Sequence, residues 1–204
     1  MTNQAIDPAR IGPDVELEDV SLPDPLAEQL AVAFDRERVG TVAEWMDATG
    51  QAVRATEGRP PSREDLCTVA DAPHVLERDG ERQAYACVMD PLIVPFLDGR
   101  PATVESADPV TGADVTVRID EEGARIEPAS AVVSMGVGTD LDGEDPMTPE
   151  AAYGSLCAYI NAFESRETYA KWAAETGGAV TTAIPAREAV GVAGAIAVDL
   201  FGGG

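Results

Sequence analysis

AYACVMDPLIVPFLDGRPATVESADPVTGADVTV, residues 84–117, decides how the rest of the chain is read. Its second half is a β region. ATVESA is followed by the turn DPVTG, and Val115, Val117 and Ile119 then alternate with polar residues, which is the period of a strand with one buried face. Its first half is the end of a hairpin arm. VLERDGERQAYACVMD, residues 75–90, reads as two strands around Asp79-Gly80, the second running from Gln83 to Met89. Between them lies PLIVPFLDGR, apolar and carrying two prolines. Two residues with chemical capacity stand where the arm gives way to this run, Cys87 and Asp90.

Outward from this segment the elements follow by pattern. After the turn DEEG and the stretch ARIEP, Ala131 to Val137 reads as a strand, and the acidic, glycine-rich stretch from Gly138 to Asp145 as a loop. Thr148 and Pro149 start a helix, with a cap and a proline at the first helical position. Its predicted apolar stripe is Tyr153, Leu156, Cys157, Ile160 and Phe163. Ser165 caps the next helix, carrying Tyr169 and Trp172 and stopping at Gly177-Gly178. AVTTAI reads as a strand, and an Ala-rich helix runs from Pro185 through Phe201. The expected fold class is α+β, a mainly antiparallel sheet with flanking helices.

Towards the N-terminus, residues 1–24 are rich in acid and proline and read as an acidic tail or extended lead-in. Residues 25–74 read as a helical N-terminal module. Leu26, Leu30 and Phe34 fall four apart. Thr41 precedes a second helix with Glu44 at capping-box spacing, and Ser62 caps a short helix over SREDL. Residues 75–204 form the expected main domain. His74 reads as a surface or hairpin residue, and Tyr85 and Tyr153 as core.

Composition excludes several function classes. The chain has 204 residues, with 37 acidic against 14 basic side chains and a net charge of −23. Such a balance disfavours a nucleic-acid surface built on counterion release and an anionic membrane. No apolar run approaches the ~18 residues of a membrane span, and the first residues lack the basic-then-apolar pattern of an export signal. Lys171 is the lone lysine. Acid excess with almost no lysine resembles the proteome of a halophilic organism, because dense carboxylates hold water and cations while strong salt screens their repulsion. The alternative is an acidic surface that docks a basic protein. Cys67, Cys87 and Cys157 are the cysteines, an odd and sparse set that suits free thiols in a reducing, cytoplasmic setting. One histidine leaves no His-rich metal site, so chemistry must come mainly from thiols and carboxylates.

Each candidate has a plain alternative. Cys87 and Cys157 can be small buried hydrophobes, and Asp90 can be a helix cap ahead of Pro91. Cys67 is a buried small residue or an auxiliary thiol. If Cys87, Cys157 and Asp90 converge, two sulfurs and one oxygen suit a soft, thiophilic cation and leave an open position, unlike the four closed ligands of structural zinc.

The quoted segment also resembles the core of the organomercurial (alkylmercury) lyase family. That core reads Tyr-Ala-x-Cys-x-x-Asp, an apolar run with proline, Gly-Arg-x-Ala-x-Val, and a Thr-Gly turn into a strand. SLCAYINAFES resembles the family's second cysteine helix, YAKWAAE its Trp helix, and GRPPSREDL its N-terminal helical segment, here a shortened winged-helix-like module. The resemblance implies an alkylmercury-lyase-like catalytic domain over 75–204 with Cys87, Asp90 and Cys157 as catalytic residues. The same three would be the ligands of substrate and product mercury. It implies protonolysis of R–Hg⁺ to a hydrocarbon and Hg(II), no cofactor, and cellular thiols or a mercuric reductase as Hg(II) acceptor. The chain departs from the pattern at Ala86, where some relatives carry Trp, at Leu156 and Ala158 flanking the second cysteine, and near Ser106 and Ala107, where a further cysteine is common. These changes bear on substrate preference. A function of another class uses the same thiols without cleavage, as a binding or trafficking protein for Hg(II) or Cu(I). A third reading is a regulatory or interaction module.

Overall fold

A computed structural model describes residues 15–141 and 147–202. The elements, in chain order, are α1 (Asp24–Ala33), α2 (Val42–Glu57), a 3₁₀ turn (Arg63–Asp65), β1 (His74–Arg78), β2 (Glu81–Tyr85), α3 (Met89–Asp98), β3 (Ala102–Ala107), β4 (Asp114–Asp120), β5 (Gly123–Glu127), β6 (Val132–Gly138), α4 (Pro149–Ser155), a second 3₁₀ turn (Cys157–Tyr159), β7 (Ala162–Phe163), α5 (Arg166–Glu175), β8 (Ala179–Pro185) and α6 (Ala186–Asp199). Two antiparallel sheets result, one ordered β2-β1-β3-β4-β5 and one ordered β7-β6-β8.

Local chemistry explains most of these elements. Asp79 and Gly80 both take positive φ, as a tight two-residue hairpin turn between β1 and β2 requires. Val115, Val117 and Ile119 point inward from β4, as their alternation predicts. Thr41 caps α2 by accepting the Glu44 N–H, and Ser165 caps α5 by accepting the Thr168 N–H. Leu26 and Leu30 of α1 are fully buried, each worth about 2 kcal/mol on burial.

One core runs through the molecule, from Leu17 and the α1 residues through α3 and β6 to α6. It crosses the boundary expected at residue 74. Of the two readings of the first 24 residues, the solvated tail does not hold for residues 15–24, because Leu17 and Leu22 are buried in that core; residues 1–14 lie outside the described residues. β6 is buried along its whole length, covered on both faces.

Several expectations are corrected. The second hairpin arm ends at Tyr85, not Met89, because residues 86–88 bend into α3. PLIVPFLD, for which the sequence offered only its apolar character and a turn or helix start, forms the body of α3, with Pro91 in the first turn, where no helical N–H is needed. The predicted helix of residues 148–163 stops at Ser155. Cys157 opens a separate 3₁₀ turn, and Ala162–Phe163 pair with β6. The Tyr153 side chain and residues 142–146 of the expected acidic loop lie outside the described residues.

His74 is wholly buried, not a surface residue. Its Nδ1 accepts from the Ser106 hydroxyl at 2.9 Å, and its Nε2 faces Asn161 Oδ1 at 3.3 Å. Asn161 donates its own amide N–H to Ala158 C=O, so its oxygen is the atom turned to the imidazole and Nε2 carries the proton. The ring thereby ties β1 to the segment that holds Cys157.

Burial holds His74 down to about 4, with the Asn161 hydrogen bond working the other way. An unfolded histidine takes up its proton near 6.5. Between these values the unfolded chain binds more protons, so stability falls as pH drops through the window, by roughly 3 kcal/mol in total. Urea melts of the wild type and His74→Gln at fixed salt test this. The variant should be less stable at pH 7 and show a shallower loss between pH 6.5 and 4; equal slopes refute the assignment.

Candidate active site

Three chain segments meet at the start of α3. On one side, the Cys67 carbonyl accepts the Ala86 N–H at 2.9 Å, and the Ala84 carbonyl accepts the Val69 N–H at 3.1 Å. On the other, the Ile160 carbonyl accepts the Val88 N–H at 3.0 Å. Residues 84–88 are therefore clamped between the strand-like segment 67–69 and the turn that follows Cys157.

That turn is itself anchored to β6. Ser134 Oγ donates to the Tyr159 carbonyl at 2.8 Å and accepts the Asn161 N–H at 2.9 Å, while the Ser134 N–H reaches the Asn161 carbonyl. Gly136 lets the turn lie flat. A Cβ there would stand 2.9 Å from Tyr159 Cβ and 2.7 Å from Thr181 Cγ2, closer than carbon atoms approach.

The clamp gathers all three cysteines and Asp90 at one cavity of about 150 Å³. Its walls are apolar, formed by Trp45 and Met46 of α2, Ile93 of α3, Ile160, and Leu200 and Phe201 after α6. Helix α2 thus contributes one wall of the site. Larger clefts of about 330 and 510 Å³ exist, but they are lined mainly by charged surface side chains and hold no thiol.

Cys87 and Cys157 are buried, Cys67 and Asp90 half-buried. Cys67 Sγ lies 3.1 Å from Cys157 Sγ. One ligand atom from each of Cys67, Asp90 and Cys157 falls within 4.8 Å of the others. Asp90 is in the first turn of α3 and does not cap it; Val88 holds the cap position. Its carboxylate instead accepts the Cys67 N–H at 2.7 Å. That contact corrects the cap alternative: the acid faces the thiols.

Ionisation follows from burial and crowding. Desolvation pushes Asp90 up to about 6, against the hydrogen bonds from Cys67 and Cys87 that favour its carboxylate. Hydrogen bonding with Cys157 favours the Cys87 thiolate, but burial and the nearby Asp90 charge outweigh it and push Cys87 up to about 11. Cys157 is raised far above the ordinary thiol range by its hydrogen bonds to Cys67 and Cys87 and then by burial. The resting site therefore pairs protonated buried thiols with a carboxylate that is ionised at neutral pH and close enough to take a proton from them.

Sequence reasoning singled out Cys87, Asp90 and Cys157, and the structure brings them to one cavity. It left Cys67 as a buried small residue or an auxiliary thiol that shuttles Hg(II). The overlooked signal was its place directly after the capped SREDL turn, which delivers the next residues alongside the end of the hairpin arm.

Three thiols gathered with one carboxylate on an antiparallel α+β scaffold suit the binding of a soft metal. The model of the family described as "MerB: Alkylmercury lyase" matches residues 67–198. The alkylmercury lyase of Pseudomonas putida is 30% identical over 179 residues, covering 81% of this chain and 77% of that protein. That of Streptomyces lividans is 29% identical over 163 residues, covering 79% and 70%. The crystal structure of the mercury-bound form of MerB2 shares the fold with a TM-score of 0.50 at 16% identity, covering 90% of this chain and 95% of that one. The chain belongs to the alkylmercury lyase family.

Thiol reactivity tracks thiolate character and access together. Timed alkylation with iodoacetamide, read by peptide mass spectrometry, should modify Cys67 first, with Cys87 and Cys157 both at least about ten-fold more slowly. Equal rates at Cys67 and Cys87 would contradict the burial order.

Proposed function

We propose that this chain cleaves the carbon–mercury bond of R–Hg⁺ by protonolysis, with Cys87 and Cys157 as mercury ligands and Asp90 as proton carrier. The observation that carries the reading is the placement of one ionised carboxylate against buried protonated thiols at the end of an apolar cavity. Family membership supports it.

The steps follow from that arrangement. One thiol binds R–Hg⁺, and its proton leaves to solvent. Asp90 accepts the proton of the second thiol, whose sulfur then joins the metal. Two sulfur donors place electron density on the Hg–C bond and make the carbon basic. Protonated Asp90 delivers its proton to that carbon as general acid, and the hydrocarbon RH leaves. Asp90 is a carboxylate again, and Hg(II) remains on two thiolates. The apolar walls accept the organic group and exclude water that would compete for the proton. Small-molecule thiols or a mercuric reductase then take the metal, which places the activity in mercury resistance and detoxification. The acidic surface is read as adaptation to strong salt inside a halophilic cytoplasm, and the assay belongs in molar salt.

Incubation with phenylmercury at high salt, with benzene measured by gas chromatography, tests the proposal. The wild type should release benzene. Asp90→Ala should bind about one equivalent of phenylmercury yet release benzene at least about 100-fold more slowly, the scale of a lost general acid. Cys87→Ser and Cys157→Ser should each lose turnover. Unchanged release by Asp90→Ala refutes its role. Tight Hg(II) retention without any benzene identifies a soft-metal binding protein instead.

A further inference from the structure

We propose that Cys67 is a third sulfur ligand for the Hg(II) left by cleavage, sharing the metal with Cys157 on its way out of the site. The inference rests on the lyase reading above, because it concerns the fate of that reaction's product.

Three observations converge on it. Cys67 Sγ stands 3.1 Å from Cys157 Sγ, so any metal on Cys157 is within reach of Cys67. Its backbone is pinned to the site on both sides, with its N–H on Asp90 and its carbonyl on Ala86 N–H. Of the three thiols it is the one with solvent access, whereas Cys87 and Cys157 are buried. The chain has three cysteines, and none is used elsewhere in the fold. A residue needed only as a small core filler has no reason to stand against both the reacting carboxylate and a reacting thiol.

The chemistry gives this thiol a task. After protonolysis Hg(II) is held by two buried thiolates, and no external thiol can attack it without entering the apolar cavity. A third sulfur already in place can bind first. The Cys67 S–H bond breaks, its proton goes to the Asp90 carboxylate that has just given one up, and a Cys67 S–Hg bond forms. No electrons are exchanged. The complex carries three thiolates, and an outside thiol then meets a metal joined to the accessible sulfur. Sulfurs around a trigonal ion with the 2.3 Å bonds of zinc stand roughly 4 Å apart, and the longer Hg–S bonds set them slightly wider. The Cys67–Cys157 pair needs to open by at least about 1 Å from its 3.1 Å contact, a side-chain rotation for the half-buried member.

The full-length protein loaded with one equivalent of Hg(II) tests this without any cleavage step. X-ray absorption should count three sulfurs on mercury in the wild type and two in Cys67→Ser and Cys67→Ala. The near-ultraviolet charge-transfer absorption should weaken in both variants. Near-ultraviolet circular dichroism of the metal-free variants confirms folding, and the wild-type count stands without any variant. Two sulfurs in the wild type, unchanged on replacing Cys67, overturns the inference. Cys87→Ser and Cys157→Ser separate the two readings. If each loses a sulfur while the Cys67 variants do not, only the third-ligand inference fails. If neither does, the lyase assignment of those thiols fails with it.

Discussion

The site depends on a backbone clamp. The Ala86 and Val88 N–H groups of the short segment between β2 and α3 serve two different chain segments, one donating to the Cys67 carbonyl and the other to that of Ile160. Each bond is worth only about 1 kcal/mol net, but their geometric effect is larger. They place three chain segments in fixed register around Cys87 and Asp90. Bringing together residues seventy or more positions apart costs loop-closure entropy. That cost is met by the core beneath, not by the thiols themselves. Leu92, Ile93 and Phe96 of α3 and Val190, Ala193 and Ile196 of α6 belong to that continuous core.

Burial then sets the resting protonation of the gathered residues. In water a carboxylate and a thiol differ by several pKa units. Here Asp90 is raised by desolvation to about 6, and Cys87, against its hydrogen bond with Cys157, is raised by burial to about 11, so the separation is kept: at rest the thiol holds its proton and the carboxylate stays charged. The same apolar lining that shifts these groups is shaped to take an organic substituent. Binding, proton storage and exclusion of water thus have one physical origin, the dry wall contributed by α2, α3 and the end of α6.

The parts legible in sequence are those governed by local rules. Asp79-Gly80 forms its turn because the backbone there needs positive φ. The β4 alternation survives because one face is packed. Thr41 and Ser165 cap because their side chains answer N–H groups three residues on. The failures are equally physical. The stripe from Tyr153 to Phe163 has helical spacing, yet the helix ends at Ser155, because Ser134 and Val88 offer the following residues better hydrogen bonds than another helical turn would. The surface alternative for His74 fails because its burial comes from Ser106 and Asn161, far away in the chain.

Sequence alone determined the fold class and the family, and it singled out two thiols and one acid, since residue type, order and spacing are written along the chain. Tertiary structure alone decided that Cys67 joins them, that Asp90 faces sulfur instead of capping a helix, and which groups carry protons at rest. Those are properties of distance and solvent exclusion between segments remote in sequence, and local pattern has no means of encoding them.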